Sequence, residues 1–402
     1  MIGFKRKIRI VCLVQCRAVI DKVKLMLKII ENDPKFDLKI IAFPEKITEF
    51  PKNKDLSFWK ENYGDIVVNA IEDKDHWYDL KKDKPDYVII QRPYDIYMPE
   101  EYSLAKMAEY TKIVYVPYGF SLANIYNITM TKEVMKELSI IIAENDDSHK
   151  YYTNLIKKIN DDKKRVSLNI GYPIFDDVIK IADREESKFK QIEKKTSINV
   201  MYTPRWTSNK RGGGTTFFKY KDKIVDFFKD RDDMQLLFRP HPLAFQNFLQ
   251  TKEMTKQEID DYLSNFKNSN MTYDKSDTYL ETMKDTDVIV TDFSSVISEF
   301  LFFNKPIIFL QSDLELLNNT MRDLCKGFYC CKNFTEIKKT LIDIKNGKDP
   351  LKKIRTEKMK KLRRLNDGTV SKRIVEYIKN DYKENNRRFR WKYIFIMQKE
   401  VQ

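Results

Sequence analysis

The sequence predicts an α/β protein: two consecutive Rossmann-like domains with a cleft between them, followed by a helical, basic carboxyl-terminal tail. Three observations carry this expectation. Short β-branched runs alternate with longer amphipathic stretches, a charged segment without strand character interrupts the rhythm after residue 175, and the rhythm then restarts. Parallel strands covered on both faces read as continuous apolar runs, and the helices between them carry apolar residues three and four apart.

In the first domain, 1–174, IRIVCLV (8–14), LKIIAF (38–43), DIVVNAI (65–71), DYVIIQ (86–91), KIVYVP (112–117) and SIIIAE (139–144) read as strands. Between the first two, Ile20, Val23, Leu27 and Ile30 mark one face of a helix. The stretch DDVIKIADREESKFKQIEKKT suits a helical linker over 175–196. In the second domain, 197–350, INVMYTP (198–204), MQLLFRP (234–240), DVIVT (287–291) and KPIIFL (305–310) are the predicted strands. Two such units place a ligand cleft at the carboxyl ends of both sheets, with the acceptor side in the first domain. Residues 351–402 read as a helix, an Asp-Gly break, a second helix and a basic aromatic tail.

A length of 402 residues excludes a single small binding module, and 42% hydrophobic residues with 13% aromatics exclude intrinsic disorder. Lys and Arg number 74 against 60 acidic residues, so the chain carries +14 and an anionic partner is expected. Most of this charge is local: residues 351–402 hold 17 basic and 6 acidic side chains. Helix-turn-helix, zinc-finger and RNA-recognition signatures are missing, so nucleic acid is not the expected partner. The tail RRFRWKYIF instead fits an anionic membrane surface reached from the cytoplasmic side. No apolar run approaches the ~18 residues of a bilayer span, and five cysteines on mostly apolar runs suit a reducing compartment, so a cytoplasmic location with peripheral membrane contact is expected. Cys12 and Cys16 lack a second pair and the chain has three His, so no metal site is expected.

The strongest motif is DVIVTDFSSVISEFLFFNKPIIFL (287–310), where a strand ends in Thr291 and Asp292, two serines follow, and a helix runs on to Asn304. Ser294 or Ser295 is placed to cap that helix, and the N–H groups of its first turn form an anion site. An ordinary cap explains the serines equally well in isolation; the position after a strand favours a diphosphate. In LLFRPHP (236–242) two prolines stiffen a loop bearing Arg239 and His241, a pair suited to polyphosphate. The segment YTPRWTSNKRGGGTTFFKYKD sets Arg205, Lys210 and Arg211 around Gly212, Gly213 and Gly214, three of the ten glycines in the chain. It lacks the order of a Walker loop, and a basic hairpin tip is its competing reading. QRPYDIYMPEEY (91–102) and VPYGFSLANI (116–125) follow strands of the first domain, so Tyr94, Asp95, Tyr118 and Ser121 are candidate acceptor-site groups, with packing at strand ends as the alternative. His76 and His149 read as solvated surface residues.

Together IVCLVQ, KPDYVIIQRPYD, YTPRW, FRPHP, TDFSSVISEFLFFNKPIIF and NDGTVSKRIVEYI resemble the CDP-glycerol glycerophosphotransferase family, the polymerases and primases of teichoic acids and related capsular polymers. The resemblance implies a GT-B-like fold. It implies that Arg239 and His241 contact the donor pyrophosphate and that Ser294 and Ser295 hold its phosphates. Asp292 and Glu299 shape the nucleotide side by the same similarity, Arg205 and Arg211 join the donor site, and Asp367, Gly368, Ser371 and Arg373 match an element that completes it. The implied reaction is attack by an acceptor hydroxyl, on a lipid-linked or oligosaccharide acceptor, at the distal phosphorus of CDP-glycerol or CDP-ribitol. CMP leaves and no cofactor takes part. The chain departs from the family where a His-Gly pair is expected: VPYGF has Tyr118 before Gly119. A tyrosine hydroxyl ordinarily ionises near pH ~10 and is a poor base, so the catalytic set is His241 with Asp95 or Tyr118. A GT-B glycosyltransferase using a nucleotide sugar is the alternative enzyme, and a basic nucleic-acid-binding protein the alternative of another class.

Overall fold

The computed structural model describes residues 6–15, 17–44, 55–73, 76–95, 98–124, 126–185, 198–210, 214–267, 270–276, 279–310 and 316–399, with side chains described up to residue 385 except at 17 and 18. Arg211, much of the expected linker and the side chains of the basic aromatic tail lie outside the described residues. The chain divides into two compact units. One comprises Met1–Gly119, Asn127–Asp176 and Leu365–Gln402; the other comprises Phe120–Tyr126 and Asp177–Arg364.

The first unit is built on seven parallel strands: β1 (Ile8–Val14), β2 (Phe36–Ala42), β3 (Val67–Asn69), β4 (Tyr87–Ile90), β5 (Lys112–Tyr115), β6 (Ile140–Ile142) and β7 (Val166–Leu168), in the order β3-β2-β1-β4-β5-β6-β7. The apolar runs became strands because both faces are covered: Ile10, Cys12, Ile40, Val88, Ile89 and Val114 are all at most 1% exposed. The run predicted as a strand over 65–71 shortens to three residues, because Gly64–Ile66 closes a 3-10 turn ahead of it. Ile20, Val23, Leu27 and Ile30 are all buried as their spacing predicts, but the helix is broken at Val23 into a 3-10 segment, Arg17–Lys22, and an α-helix, Lys24–Glu31. The long helix Val370–Lys399 returns to this unit, and Val370, Ile374, Val375 and Ile378 complete the same core. Asp381, further along that helix, accepts from Tyr87 Oη at 2.6 Å and pairs with Lys112 Nζ at 2.6 Å.

The second unit holds six parallel strands: β8 (Ile198–Thr203), β9 (Met234–Phe238), β10 (Met271–Tyr273), β11 (Val288–Thr291), β12 (Ile307–Leu310) and β13 (Tyr329–Cys331), ordered β10-β9-β8-β11-β12-β13. Its core is aromatic: Phe217 stacks on Phe238 and Phe248 at centroid distances of 6.2 and 5.4 Å and meets Tyr262 edge-on at 5.3 Å. Arg355, fully buried on helix Lys352–Arg363, pairs with Asp349 and packs its backbone where a side chain on Gly327 would stand.

Candidate functional site

In the second unit β9, β8 and β11 are adjacent and parallel, so the three loops singled out from the sequence leave the same edge of the sheet. Register pairs Tyr202 with Phe238 and Thr203 with Thr291, which brings the next residues of all three strands side by side. Main-chain bonds knit them. Arg239 N–H donates to Tyr202 O at 2.8 Å and His241 N–H to Pro204 O at 3.2 Å. Arg205 N–H donates to Asp292 Oδ1 at 2.7 Å.

Asp292 is the centre of this network. Its side chain is fully buried, and Oδ2 accepts from Thr216 N–H at 2.7 Å and from the Thr215 and Thr216 hydroxyls at 2.9 and 3.1 Å. Burial pushes its carboxyl above the ordinary range, against the pull of the amides of Thr216 and Arg205 and the two hydroxyls. The sequence reading put Asp292 on the nucleotide side of the site. In the structure its oxygens tie the loop after β11 to the loop after β8 and to the start of helix Phe217–Phe228, so it frames the site.

Around that frame stand the cations. Arg205 Nη1 donates to Phe293 O at 2.8 Å, and its guanidinium lies 5.7 Å from the centre of the Phe293 ring. Arg239 pairs with Asp274 at 2.6 Å and donates to Ser276 Oγ and Ser276 O at 3.1 and 2.7 Å, which orients a side chain that is only 20% exposed. Burial raises the Asp274 carboxyl, but the Ser276 bonds and the Arg239 charge outweigh it and hold it below the ordinary range. His241 Nδ1 accepts from Leu243 N–H at 3.2 Å, which assigns the proton of the neutral ring to Nε2. The ring lies 6.3 Å from that of Trp206.

The expectation that a serine hydroxyl caps the helix after β11 is corrected. Ser295 occupies the N-cap in an αR conformation and its side chain makes no capping bond; the helix Val296–Phe300 is short and runs on into a 3-10 turn, Leu301–Phe303. A cap of the usual kind needs an extended N-cap backbone, and Ser295 sits instead at φ −61°, ψ −20°. Ser294 is 9% and Glu299 1% exposed.

Ser121 belongs to the second unit, where its hydroxyl donates to Ala123 O at 3.0 Å, and the candidates that follow belong to the first. Tyr118, 37% exposed, shares a 3.3 Å hydroxyl contact with Tyr94. Asp95 Oδ1 accepts from Leu104 N–H at 3.0 Å, at the start of the short helix Leu104–Met107. Asp367, Gly368, Ser371 and Arg373 build an anchor. Arg373 bonds both Asp367 oxygens at 2.8 Å, Ile170 O at 2.9 Å and Leu365 O, while Gly368 turns through φ +87°. Sequence reading missed the partner that completes this anchor. Asp176 accepts from Val370 N–H and Ser371 N–H at 2.9 and 2.7 Å, capping the long helix from almost two hundred positions away. Burial pushes the Asp176 carboxyl up against these bonds. An acidic residue after an apolar pair carries no local sign of that role.

Among the described residues no cluster of three or more His, Cys, Asp or Glu side chains is placed to hold a metal ion, and no helix is long and apolar enough to cross a membrane.

Comparison with known proteins agrees with this layout. Over 94% of its length the chain resembles the wall teichoic acid polymerase TagF, at a TM-score of 0.58, 17% identity and 89% coverage of that chain. It resembles a UDP-N-acetylglucosamine 2-epimerase from Listeria monocytogenes similarly, at a TM-score of 0.60, 13% identity and coverage of 94% and 97% of the two chains. These likenesses establish a GT-B-like fold. In sequence, 179 residues are 28% identical to the teichoic acid poly(glycerol phosphate) polymerase of Bacillus spizizenii, covering 41% of this chain and 39% of that one. A further 26% identity over 204 residues relates it to the teichoic acid glycerol-phosphate primase of Bacillus subtilis, covering 49% of this chain and 48% of that one. The chain thus spans less than half the length of either relative. The profile of one family matches residues 119–380, a span that takes in the three loops around Asp292 and the anchor at Asp367–Arg373. On that match the chain belongs to the CDP-glycerol:poly(glycerophosphate) glycerophosphotransferase family.

Proposed function

We propose that the chain transfers glycerol phosphate, or ribitol phosphate, from a CDP-alditol to an acceptor hydroxyl in the assembly of a cell-surface polymer such as a teichoic acid. The observation that carries the proposal is the convergence of Arg205, Arg239, His241 and the Ser294–Ser295 turn on one edge of β9, β8 and β11. In the proposed step the acceptor oxygen bonds to the distal phosphorus. The bond from that phosphorus to the bridging oxygen breaks, and CMP leaves with the electron pair. Negative charge grows on the bridging oxygen, and two guanidinium groups and the Nε2–H of a neutral imidazole are suited to receive it. His241 acts in this scheme as a hydrogen-bond donor. The acceptor proton passes to Asp95 or Tyr118, which Asp95→Asn and Tyr118→Phe distinguish by which one lowers turnover. The acceptor is a lipid-linked or oligosaccharide chain, and the basic tail works at the inner face of the membrane; equal binding of intact and tail-deleted protein to anionic vesicles refutes that last point.

The test is release of CMP from CDP-glycerol and CDP-ribitol in the presence of an acceptor. His241→Ala is expected to cut it by about 100-fold or more, the typical cost of one transition-state donor, with the fold intact by circular dichroism. No CMP from any CDP-alditol, or full turnover by His241→Ala, overturns the proposal.

A further inference from the structure

The aim of the Arg239 side chain is set from the neighbouring strand. β10 lies at the edge of the second sheet beside β9, with Tyr273 opposite Phe238. The pairing carries on one residue further: Asp274 N–H donates to Phe238 O at 3.0 Å, so Asp274 emerges next to Arg239. Its side chain is 1% exposed. Oδ1 accepts from Ser276 N–H at 2.9 Å, which folds the segment after β10 into a tight turn, and Oδ2 accepts from Arg239 Nη1 at 2.6 Å. Ser276 then takes a hydrogen from each end nitrogen of the guanidinium, from Nη1 through its hydroxyl at 3.1 Å and from Nη2 through its carbonyl at 2.7 Å. The Ser276 hydroxyl, accepting from Arg239, keeps its own hydrogen for the hydroxyl of buried Thr282 at 3.3 Å. The guanidinium carbon stands 5.9 Å from the centre of the Tyr279 ring.

A guanidinium carries five N–H groups in one plane. Asp274 and Ser276 take both hydrogens of Nη1 and one of Nη2. Because Ser276 bonds both end nitrogens, it faces the end of the group and leaves the Nε–H and the second Nη2–H side by side on one flank. Among the described residues neither makes a bond. Two parallel donors match two oxygens of a phosphate. An unheld arginine gives up rotamer freedom to bind in this way, whereas here that loss is met on folding. The carboxylate also has a contrary effect, since a negative charge beside the guanidinium weakens its attraction for an anion. Orientation and charge therefore predict opposite consequences of removing it.

We infer that Asp274 and Ser276 are positioning residues, which present the Nε–Nη2 flank of Arg239 to a phosphate group. That this phosphate belongs to a CDP-alditol rests on the transferase reading above; the positioning does not.

The experiment is a double-mutant cycle, read as the affinity of the full chain for CDP and for inorganic pyrophosphate by calorimetric titration. Asp274→Asn is expected to weaken both about 10-fold when Arg239 is present. With Arg239→Gln already in place, the same change shifts affinity by less than about 2-fold. Asp274→Glu, which keeps the carboxylate, restores part of the loss. Ser276→Ala removes only a hydroxyl and gives a second cycle of the same pattern, at about 3-fold, if Asp274→Asn does not fold. Equal losses with and without Arg239 make the two residues merely structural, and tighter binding by Asp274→Asn makes the carboxylate a matter of charge alone; either result overturns the inference, as does a wild-type chain that binds neither ligand. CMP release by the wild-type chain is read separately. Losses independent of Arg239 with CMP released sink only this inference. A coupled cycle with no CMP from any CDP-alditol sinks only the transferase reading.

Discussion

Replacing Asp292 by Asn tests whether this residue frames the site or touches a ligand. The carboxylate accepts one main-chain N–H on each oxygen, from Arg205 at 2.7 Å and Thr216 at 2.7 Å, and two hydroxyls besides. An amide keeps a single acceptor. The Thr215 and Thr216 hydroxyls can turn and accept from the new NH2, but one of the two main-chain N–H groups must face it donor to donor. A hydrogen bond to a charged group contributes about 1.5–3 kcal/mol, and a buried donor left unpaired costs about 1–3 kcal/mol. The variant is therefore expected to lose roughly 2–4 kcal/mol, the lower sums applying if the loop shifts. In a unit of this size 1 kcal/mol moves Tm by about 2–4 °C, so scanning calorimetry should show a fall of roughly 5–15 °C. A Tm within about 2 °C of wild type combined with lost CMP release would refute the framing argument and return Asp292 to direct contact with the donor.

Three further outcomes follow from particular contacts. Gly171→Ala puts a Cβ 2.5 Å from Leu365 O and 2.6 Å from Val370 Cγ2 at φ +98°, so it should cost about 2–4 kcal/mol and loosen helix Val370–Lys399, read as faster proteolysis of that helix; unchanged protection contradicts the anchor. Arg355→Ala removes a fully buried guanidinium from Asp349 and should destabilise the second unit by about 3–5 kcal/mol, and a loss under about 1 kcal/mol in urea unfolding would show the pair to be idle. The Asp274 carboxyl, held below its ordinary range by Ser276 and Arg239 against the effect of burial, adds stability that is present above about pH 4 and fades as the pH falls below it. The destabilisation caused by Asp274→Asn should therefore shrink on acidification; a penalty that stays constant or grows would reverse the sign of the linkage.

Much of the fold was legible because parallel strands are covered on both faces and must be apolar throughout. The longer strands read directly as IRIVCLV, LKIIAF and DVIVT. β7, β10 and β13 were not legible: each has three residues at a sheet edge, too few to show a period. The loops at Arg205, Arg239 and Asp292 were found because Pro, Gly and charged residues directly follow apolar runs, a local signal. The separate jobs of those residues were not, since a serine before a helix reads as a cap whether or not its backbone permits one.

The sequence by itself determined the α/β rhythm, the strand ends where chemistry concentrates and the family resemblance, all of which depend on neighbours a few positions apart. Tertiary structure alone decided that Asp292 is buried among four donors, that Asp176 caps a helix starting at Val370, and that the strand order of the first sheet reverses at β1. Burial, capping across long separations and strand order are set by which segments pack together, and an isolated residue carries no local mark of a partner that is remote along the chain.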